Sequence, residues 1–566
     1  MKEKAKNDSQ LISRSEFLKV AVIGVTAAVF AGQGNLKAAA KSEGSIWTVS
    51  PSNTATEINQ AIADAQAAGK GTVFFTAGNY NLGTDRLEVV GSGDVTLTAD
   101  APTDHLTPST YPVTITGNPS GIISTYSRRK EFLIAPLLLV SCGDEISKVT
   151  IKNLSIDSEG FGVAHFGNDL GTSTTNPGIP QKGGNLIVEF CSLKAGRSNE
   201  SRQNNFAFIS LLVGAVSLRF EKCLAETIGR GKVLSSSHEA VNAYDSLMTS
   251  LEVNECTIKA DGGGAFSTWD GVSTSGTIAI TDNILTAGDD WNASLFCYAW
   301  DGTKSCILGG NKGNGHFRLG VPGMVVKDNK VYSNRHVHMG VLFLVFRGPD
   351  TLATHNTITD ARSVTSDVRC AVQMIDSNGV TFTHNEVKVN NTGAGREFSF
   401  GAAVVVRGND SANFSNNLIT SEGYPQTKAV IRTVLEWRTT TNSQFIQNEF
   451  RGEFDAVILA EDGANNAMEG SSIIANKMDD LTLASGGSGA HIVLSNLAPK
   501  VGGKSNKIIG SGIEIVDDLT DSVPNDGVYD GRNTIVHVRE LKSDPNAPLP
   551  GSGHGQPQEN VEGEAL

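Results

Sequence analysis

An all-β fold, a right-handed parallel β-helix with an N-terminal capping helix, is what this 566-residue sequence predicts, on three observations. Short apolar segments that meet at an asparagine recur about every 30 residues, the mark of a solenoid. The composition holds 61 Gly and 42 Asn against only 17 Pro, which suits many tight turns with few rigid breaks. Amphipathic helical patterns are almost absent between the apolar segments, so separate α/β domains lack the helices they would need. A hydrophobic share of 39% excludes wholesale disorder. The glycines show no three-residue period, which excludes collagen.

Taken in chain order, the first element is an export signal over residues 1–40. Lys2, Lys4, Lys6, Arg14 and Lys19 supply positive charge, Val20 to Gly32 is a short apolar run, and Ala38-Ala39-Ala40 offers small residues for cleavage. The run is too short for a comfortable membrane span, so no stable span is expected after its removal. Ser13-Arg14-Ser15-Glu16-Phe17-Leu18-Lys19 resembles a twin-arginine signal in which Ser15 replaces the second arginine. The expected location is periplasmic or extracellular. A net charge of −14 and a pI near 5.3 argue against a broad nucleic-acid-binding face.

The β-helix domain is expected over 41–540. Its helix lies near 54–68, where Thr54-Ala-Thr-Glu57 forms a capping box and Ile58, Ala61, Ile62 and Ala65 share one face up to Gly69. Gly71 to Tyr80 reads as the first strand. The repeat then runs through Asn153, Asn283, Asn329, Asn356, Asn385, Asn417, Asn448 and Asn476, with Asn311 and Asn506 as weaker members. A left-handed corner residue is needed where the strands meet, and Asn tolerates that conformation. Stacked corners about 4.8 Å apart would let the amides hydrogen-bond up the solenoid. Cys191, Cys223 and Cys256 fill the same slot on earlier coils, so they read as small buried core thiols. Their spacing matches no zinc motif. Pro545, Pro548, Pro550 and Pro557 beside glycines mark 541–566 as a flexible tail.

The Ala-rich helix followed by Ala77-Gly78-Asn79-Tyr80 resembles the opening of pectate-lyase-like proteins, and the resemblance extends over about 46–540 at the level of fold. It implies a solenoid whose sheets and side loops bind an extended polymer, here a polysaccharide or oligosaccharide, as a monomer or homotrimer.

The candidate chemistry lies between 261 and 318. Asp261, the pair Asp289-Asp290 and His316 each follow a repeat position by five to seven residues, which predicts one column on successive coils. Adjacent carboxylates repel, and one raised pKa beside an ionised partner makes a general acid and base, the pair that glycosidic hydrolysis needs. Asp261-Gly262, Gly288-Asp289-Asp290 and Gly315-His316 resemble the motifs of polygalacturonase-type glycosidases in order and rough spacing. Phe317 stands where that family has a Gly, no Asn-Thr precedes Asp261, and no Arg-x-Lys follows; Arg318, Arg335 or Arg347 could take that place. The resemblance implies catalytic roles for Asp261, Asp289, Asp290 and His316.

Substrate contacts are expected from Arg318, Arg335, His336 and His338, and from Trp269, Trp291 and Trp300, which cluster with Tyr298, since sugars dock against aromatic faces. No cofactor or metal is expected for a hydrolase. The alternative, β-elimination of a uronic-acid polymer with His336 or a nearby Arg as base, would admit Ca²⁺. A third reading is a non-catalytic carbohydrate-binding or envelope β-helix. His355 and His384 precede successive repeat asparagines and should stack as a structural pair.

Overall fold

The computed structural model describes residues 44–541 with interruptions, the longest being 167–183, 197–209, 237–246, 391–401, 461–471, 496–506 and 516–535. The export signal expected over 1–40 lies outside the described residues. So does the expected tail, except Leu541, which ends the strand Val536–Leu541.

Among the described residues the chain visits three sheets in turn and adds one strand to each per circuit. The first and third sheets have 16 strands and the second has 14. Pairing within all three is parallel, as in Thr277↔Ser305, Ile284↔Lys312 and Phe296↔Arg318. This topology is a parallel β-helix. Inward residues of the coils from Val49 to Phe450 join one continuous core, in which Phe382, Phe414 and Phe445 stack on consecutive coils with centroids 5.3 and 5.6 Å apart. Among the described residues no helix is long and apolar enough to cross a membrane.

The strand expected over Gly71 to Tyr80 is two strands. Lys70–Phe75 belongs to the first sheet and Gly78–Asn81 to the second, and a strand missed in the sequence, Ile46–Val49, precedes both. The chain bends between them under the Tyr80 hydroxyl, which lies 2.9 Å from both the Val49 and Thr76 carbonyl oxygens. The helix α1, Ala55–Ala67, lies where expected and carries the capping box. Ile58 and Ile62 are fully buried, worth about 1.5–3 kcal/mol each by the burial of apolar surface. Asn59 joins α1 to the edge strand Leu87–Gly91, accepting from Glu88 N–H at 2.9 Å and donating to the Arg86 carbonyl at 3.0 Å.

The Thr54 backbone N–H, then the Asn53 and Thr54 side chains, hold the Glu57 carboxyl below its ordinary range. A depressed folded pKa stabilises above the unfolded value, and the contribution is lost as pH falls through the folded value. Glu57→Gln is therefore expected to flatten the acid limb of the thermal-stability profile. Melts of both proteins across the carboxylate range check it, and parallel profiles would refute the linkage.

The asparagine ladder forms as predicted from Asn283 through Asn311, Asn329, Asn356, Asn385 and Asn417 to Asn448. Each Nδ2 donates to the next Oδ1 at 2.9–3.2 Å. Two details differ from expectation. The left-handed residue is the one before the ladder position, as at Asp282, Asp328, His355, His384, Asn416 and Gln447. Ladder asparagines are selected instead for the amide, which binds two neighbouring coils at once. Asn153 (φ 58°) is itself such a left-handed residue, and Leu154 occupies the ladder slot beside Cys191. Asn476 and Asn506 lie outside the described residues.

Cys191, Cys223 and Cys256 continue the ladder in sulfur. Cys191 N–H donates to Cys223 Sγ and Cys223 N–H to Cys256 Sγ, both at 3.5 Å, and Cys256 N–H donates to Asn283 Oδ1 at 2.9 Å. Each thiol also donates to a carbonyl of the preceding coil at 3.5–3.6 Å, the role that Nδ2 takes in the asparagines. Burial pushes the Cys223 thiol well above its ordinary value and Cys142 up to about 12.

Candidate functional site

The three sheets differ on their outer faces. Strands of the first and second sheets alternate buried and exposed residues, as in Lys148–Lys152 and Thr257–Ala260. In the third sheet His316–Gly320, Val341–Phe346 and Cys370–Ile375 are buried on both faces, except at the last residue of the latter two. Chain lengths match this difference. The corner between the first and second sheets is two residues on every coil from Lys152 to Glu449, while over the same coils the connections from the second sheet into the third range from one residue, between Asn314 and His316, to 14, between Ala195 and Ser210.

Along the outer face of the third sheet, Ser267, Phe296, Arg318, Leu344, Gln373 and Val405 stand in register and are buried. The next outward row, Tyr298, Gly320, Phe346, Ile375 and Arg407, is half-buried except for Gly320, and Arg347 beside it is exposed. This row is the accessible rim.

Tyr298 is the centre of the rim. Arg318 Nε donates to its hydroxyl oxygen at 2.9 Å, and the guanidinium lies 4.9 Å from the Phe296 ring centroid and 5.3 Å from that of Tyr298. The Tyr298 ring packs 4.9 Å from Phe296 and 6.5 Å from Phe346, over which the Arg347 guanidinium stands at 4.8 Å. Burial raises the Tyr298 phenol above its ordinary value, while the positive charges of Arg318 and Arg347 pull it down. The phenol therefore stays protonated at neutral pH, within the field of two permanent cations. Such a site can stack a sugar ring and pair a negative group with a planar guanidinium.

Of the residues singled out in the sequence, Asp261, His316 and Arg318 are described; Asp289, Asp290, Trp269, Trp291, Trp300, Arg335, His336 and His338 lie outside the described residues. Equal spacing from the ladder does not give Asp261 and His316 equal places. Asp261 is exposed just after Thr257–Ala260 of the second sheet. His316 is buried, already opens a strand of the third sheet, and is paired with Ala293. The cause is coil length. Only 18 residues separate Asn311 from Asn329, and the corner before His316 is the single residue Gly315, whereas five residues separate Ala260 from Phe266. Arg318 is on the third sheet as a substrate contact requires, yet its side chain is buried behind Tyr298. Tyr298 belongs to the aromatic cluster that the sequence marked, without a role of its own there, whereas sequence reasoning missed Phe346; the signal available was an aromatic closing an apolar strand.

His355 and His384 stack as expected, with centroids 5.1 Å apart and rings 8° from parallel. Each Nδ1 is hydrogen-bonded to the preceding threonine hydroxyl, at 2.8 and 2.9 Å. Among the described residues no group of three His, Cys, Asp or Glu stands close enough to hold a metal ion.

No protein-family model and no curated protein matches the chain. Solved structures do. The A-module of a mannuronan C-5 epimerase from Azotobacter vinelandii is 13% identical, with 74% of this chain and 95% of that one covered and a TM-score of 0.41. A mannuronic-acid-specific family 6 polysaccharide lyase from human gut microbiota is 11% identical, covering 88% and 92%, TM-score 0.35. A lacto-N-biosidase from Eubacterium ramulus is 12% identical, covering 72% and 67%, TM-score 0.34. The three long parallel sheets fit a pectate-lyase-like β-helix.

Proposed function

We propose that this protein is an exported, polysaccharide-degrading enzyme that takes an acidic polymer along the rim of its third sheet. The observation that carries the reading is Tyr298, its hydroxyl held by Arg318 and flanked by Arg347, beside the half-buried ring of Phe346. Aromatic rings offer stacking surfaces, and arginine pairs with a carboxylate in a planar, bidentate geometry. Hydrolysis is assigned to Asp289 and Asp290 with Asp261. Asp289 and Asp290 precede the third-sheet strand Ala293–Tyr298, one coil before Arg318, and Asp261 precedes Phe266–Ser267, two coils before it. One carboxyl serves as general acid and the other as base or nucleophile. Trp269, Trp291 and Trp300 flank the same strands and would widen the sugar platform. In this reading α1 closes the start of a right-handed solenoid and residues 1–40 direct export.

Arg347, exposed at the rim over the Phe346 ring, also favours a second reading, β-elimination of a uronate polymer, in which an arginine neutralises the carboxylate. A panel of neutral and uronate polysaccharides, followed for new reducing ends and for the ultraviolet absorbance of unsaturated products, separates the two. The expected result is reducing ends from an acidic polymer without that absorbance, and a loss of at least about 100-fold in Asp290→Asn, the scale of a removed acid–base group. Full activity in Asp290→Asn rejects the hydrolase. An absorbing product selects elimination, and binding without turnover selects a non-catalytic protein.

A further inference from the structure

The coils on either side of Tyr298 grip it in ways that its own strand does not require. On the coil before it, buried Thr268 uses one hydroxyl for both backbone groups of Tyr298, accepting from its N–H at 2.7 Å and donating to its carbonyl at 2.8 Å. On the coil after it, Tyr298 is paired with Gly320, and the phenol ring lies over the Gly320 Cα. A methyl group at 320 would stand 2.5 Å from Tyr298 Cδ1 and 2.6 Å from the Phe346 carbonyl oxygen. Gly320 does not have a positive φ, so space, rather than backbone conformation, requires glycine there. Arg318, two residues earlier on the same strand, reaches the hydroxyl.

We infer that Thr268 and Gly320 are positioning residues that lay the Tyr298 ring flat along the rim, with its hydroxyl against Arg318, so that a sugar meets a fixed aromatic face. The functional half of this inference rests on the proposed reading of the rim; the positional half does not. A ring held this way costs a ligand little ordering entropy, because the side chain is immobilised before binding. Any side chain larger than hydrogen at 320 must push the ring outward, away from Arg318. Loss of the Thr268 hydroxyl unpairs both backbone groups of Tyr298 at a strand end.

The test reads Tyr298 directly. Tyrosinate absorbance is titrated in the wild type and in Tyr298→Phe, and the difference isolates this phenol among the 8 tyrosines. It is expected to titrate above the ordinary tyrosine value. The same subtraction in Gly320→Ala and Thr268→Val should move the titration back towards that value, while Thr268→Ser, which keeps the hydroxyl, retains the wild-type curve. Unchanged titration in both Gly320→Ala and Thr268→Val overturns the inference; so does an ordinary titration in the wild type. Binding of polygalacturonate, measured on the same proteins, should weaken about tenfold in Gly320→Ala, as when a binding contact is removed. A wild type that binds no acidic polymer defeats the rim reading while the titration still decides the positioning.

Discussion

Replacing Asn329 by alanine is expected to cost about 3–5 kcal/mol, enough to melt the central coils of a domain whose whole stability is of order 5–15 kcal/mol. The Asn329 amide is fully buried and makes four hydrogen bonds. Its Oδ1 accepts from Asn311 N–H and Nδ2 at 3.0 Å, and its Nδ2 donates to the Leu308 carbonyl and Asn356 Oδ1 at 2.9 Å. Alanine leaves the Asn311 backbone N–H and the Leu308 carbonyl without these partners and opens a cavity between two coils. Each unpaired buried group costs about 1–3 kcal/mol. Asn329→Cys should lose about half as much, because Cys223 already performs the same two tasks more weakly. It accepts a backbone N–H at 3.5 Å and donates to the carbonyl of the preceding coil at 3.5 Å. Denaturant melts of the three proteins decide the matter. An alanine variant within about 1 kcal/mol of wild type would mean that the ladder is ornamental.

The same ladder explains what could be read from sequence. One residue type serves one register position on seven successive coils, from Asn283 to Asn448, so the repeat is visible although coil length varies from 18 to 32 residues. A second ladder was invisible. At the corner after the third sheet, Gly348 N–H donates to Ser377 Oγ at 3.1 Å, and Ser377 N–H donates to Asn409 Oδ1 at 2.6 Å. A hydroxyl and an amide do the same work there, so no letter recurs. The rim was legible only in part. Arg318 stood out because it follows His316, but its partner Tyr298 is fixed by strand register, and register depends on connection lengths that a ladder offset ignores. For the same reason Asp261 and His316 fall in different places. Residues carried on tight corners were predictable; residues beyond the variable connections were not.

Arg362→Met is expected to destabilise by about 3–5 kcal/mol, for a reason unrelated to the ladder. Arg362 and Asp360 are both completely buried and form a two-pronged pair, Nε to Oδ1 at 2.8 Å and Nη2 to Oδ2 at 2.7 Å. The arginine also donates to the Cys370 carbonyl at 3.1 Å, which ties the end of the second-sheet strand Thr357–Asp360 to the start of the third-sheet strand Cys370–Ile375. Removing the cation leaves a carboxylate in the core with its main counter-charge gone, and that is the costly change. Removing both charges is not. The coils on either side place Ser333 and Val389 in register with Asp360, so the solenoid packs this position without a charge one strand away in each direction. Asp360→Val combined with Arg362→Met should therefore recover most of the stability lost in Arg362→Met alone. Denaturant melts of the single and double variants give the comparison. If the double variant is no more stable than the single, the arginine acts mainly through its tether to the Cys370 carbonyl, and the third-sheet strand depends on that hydrogen bond for its place.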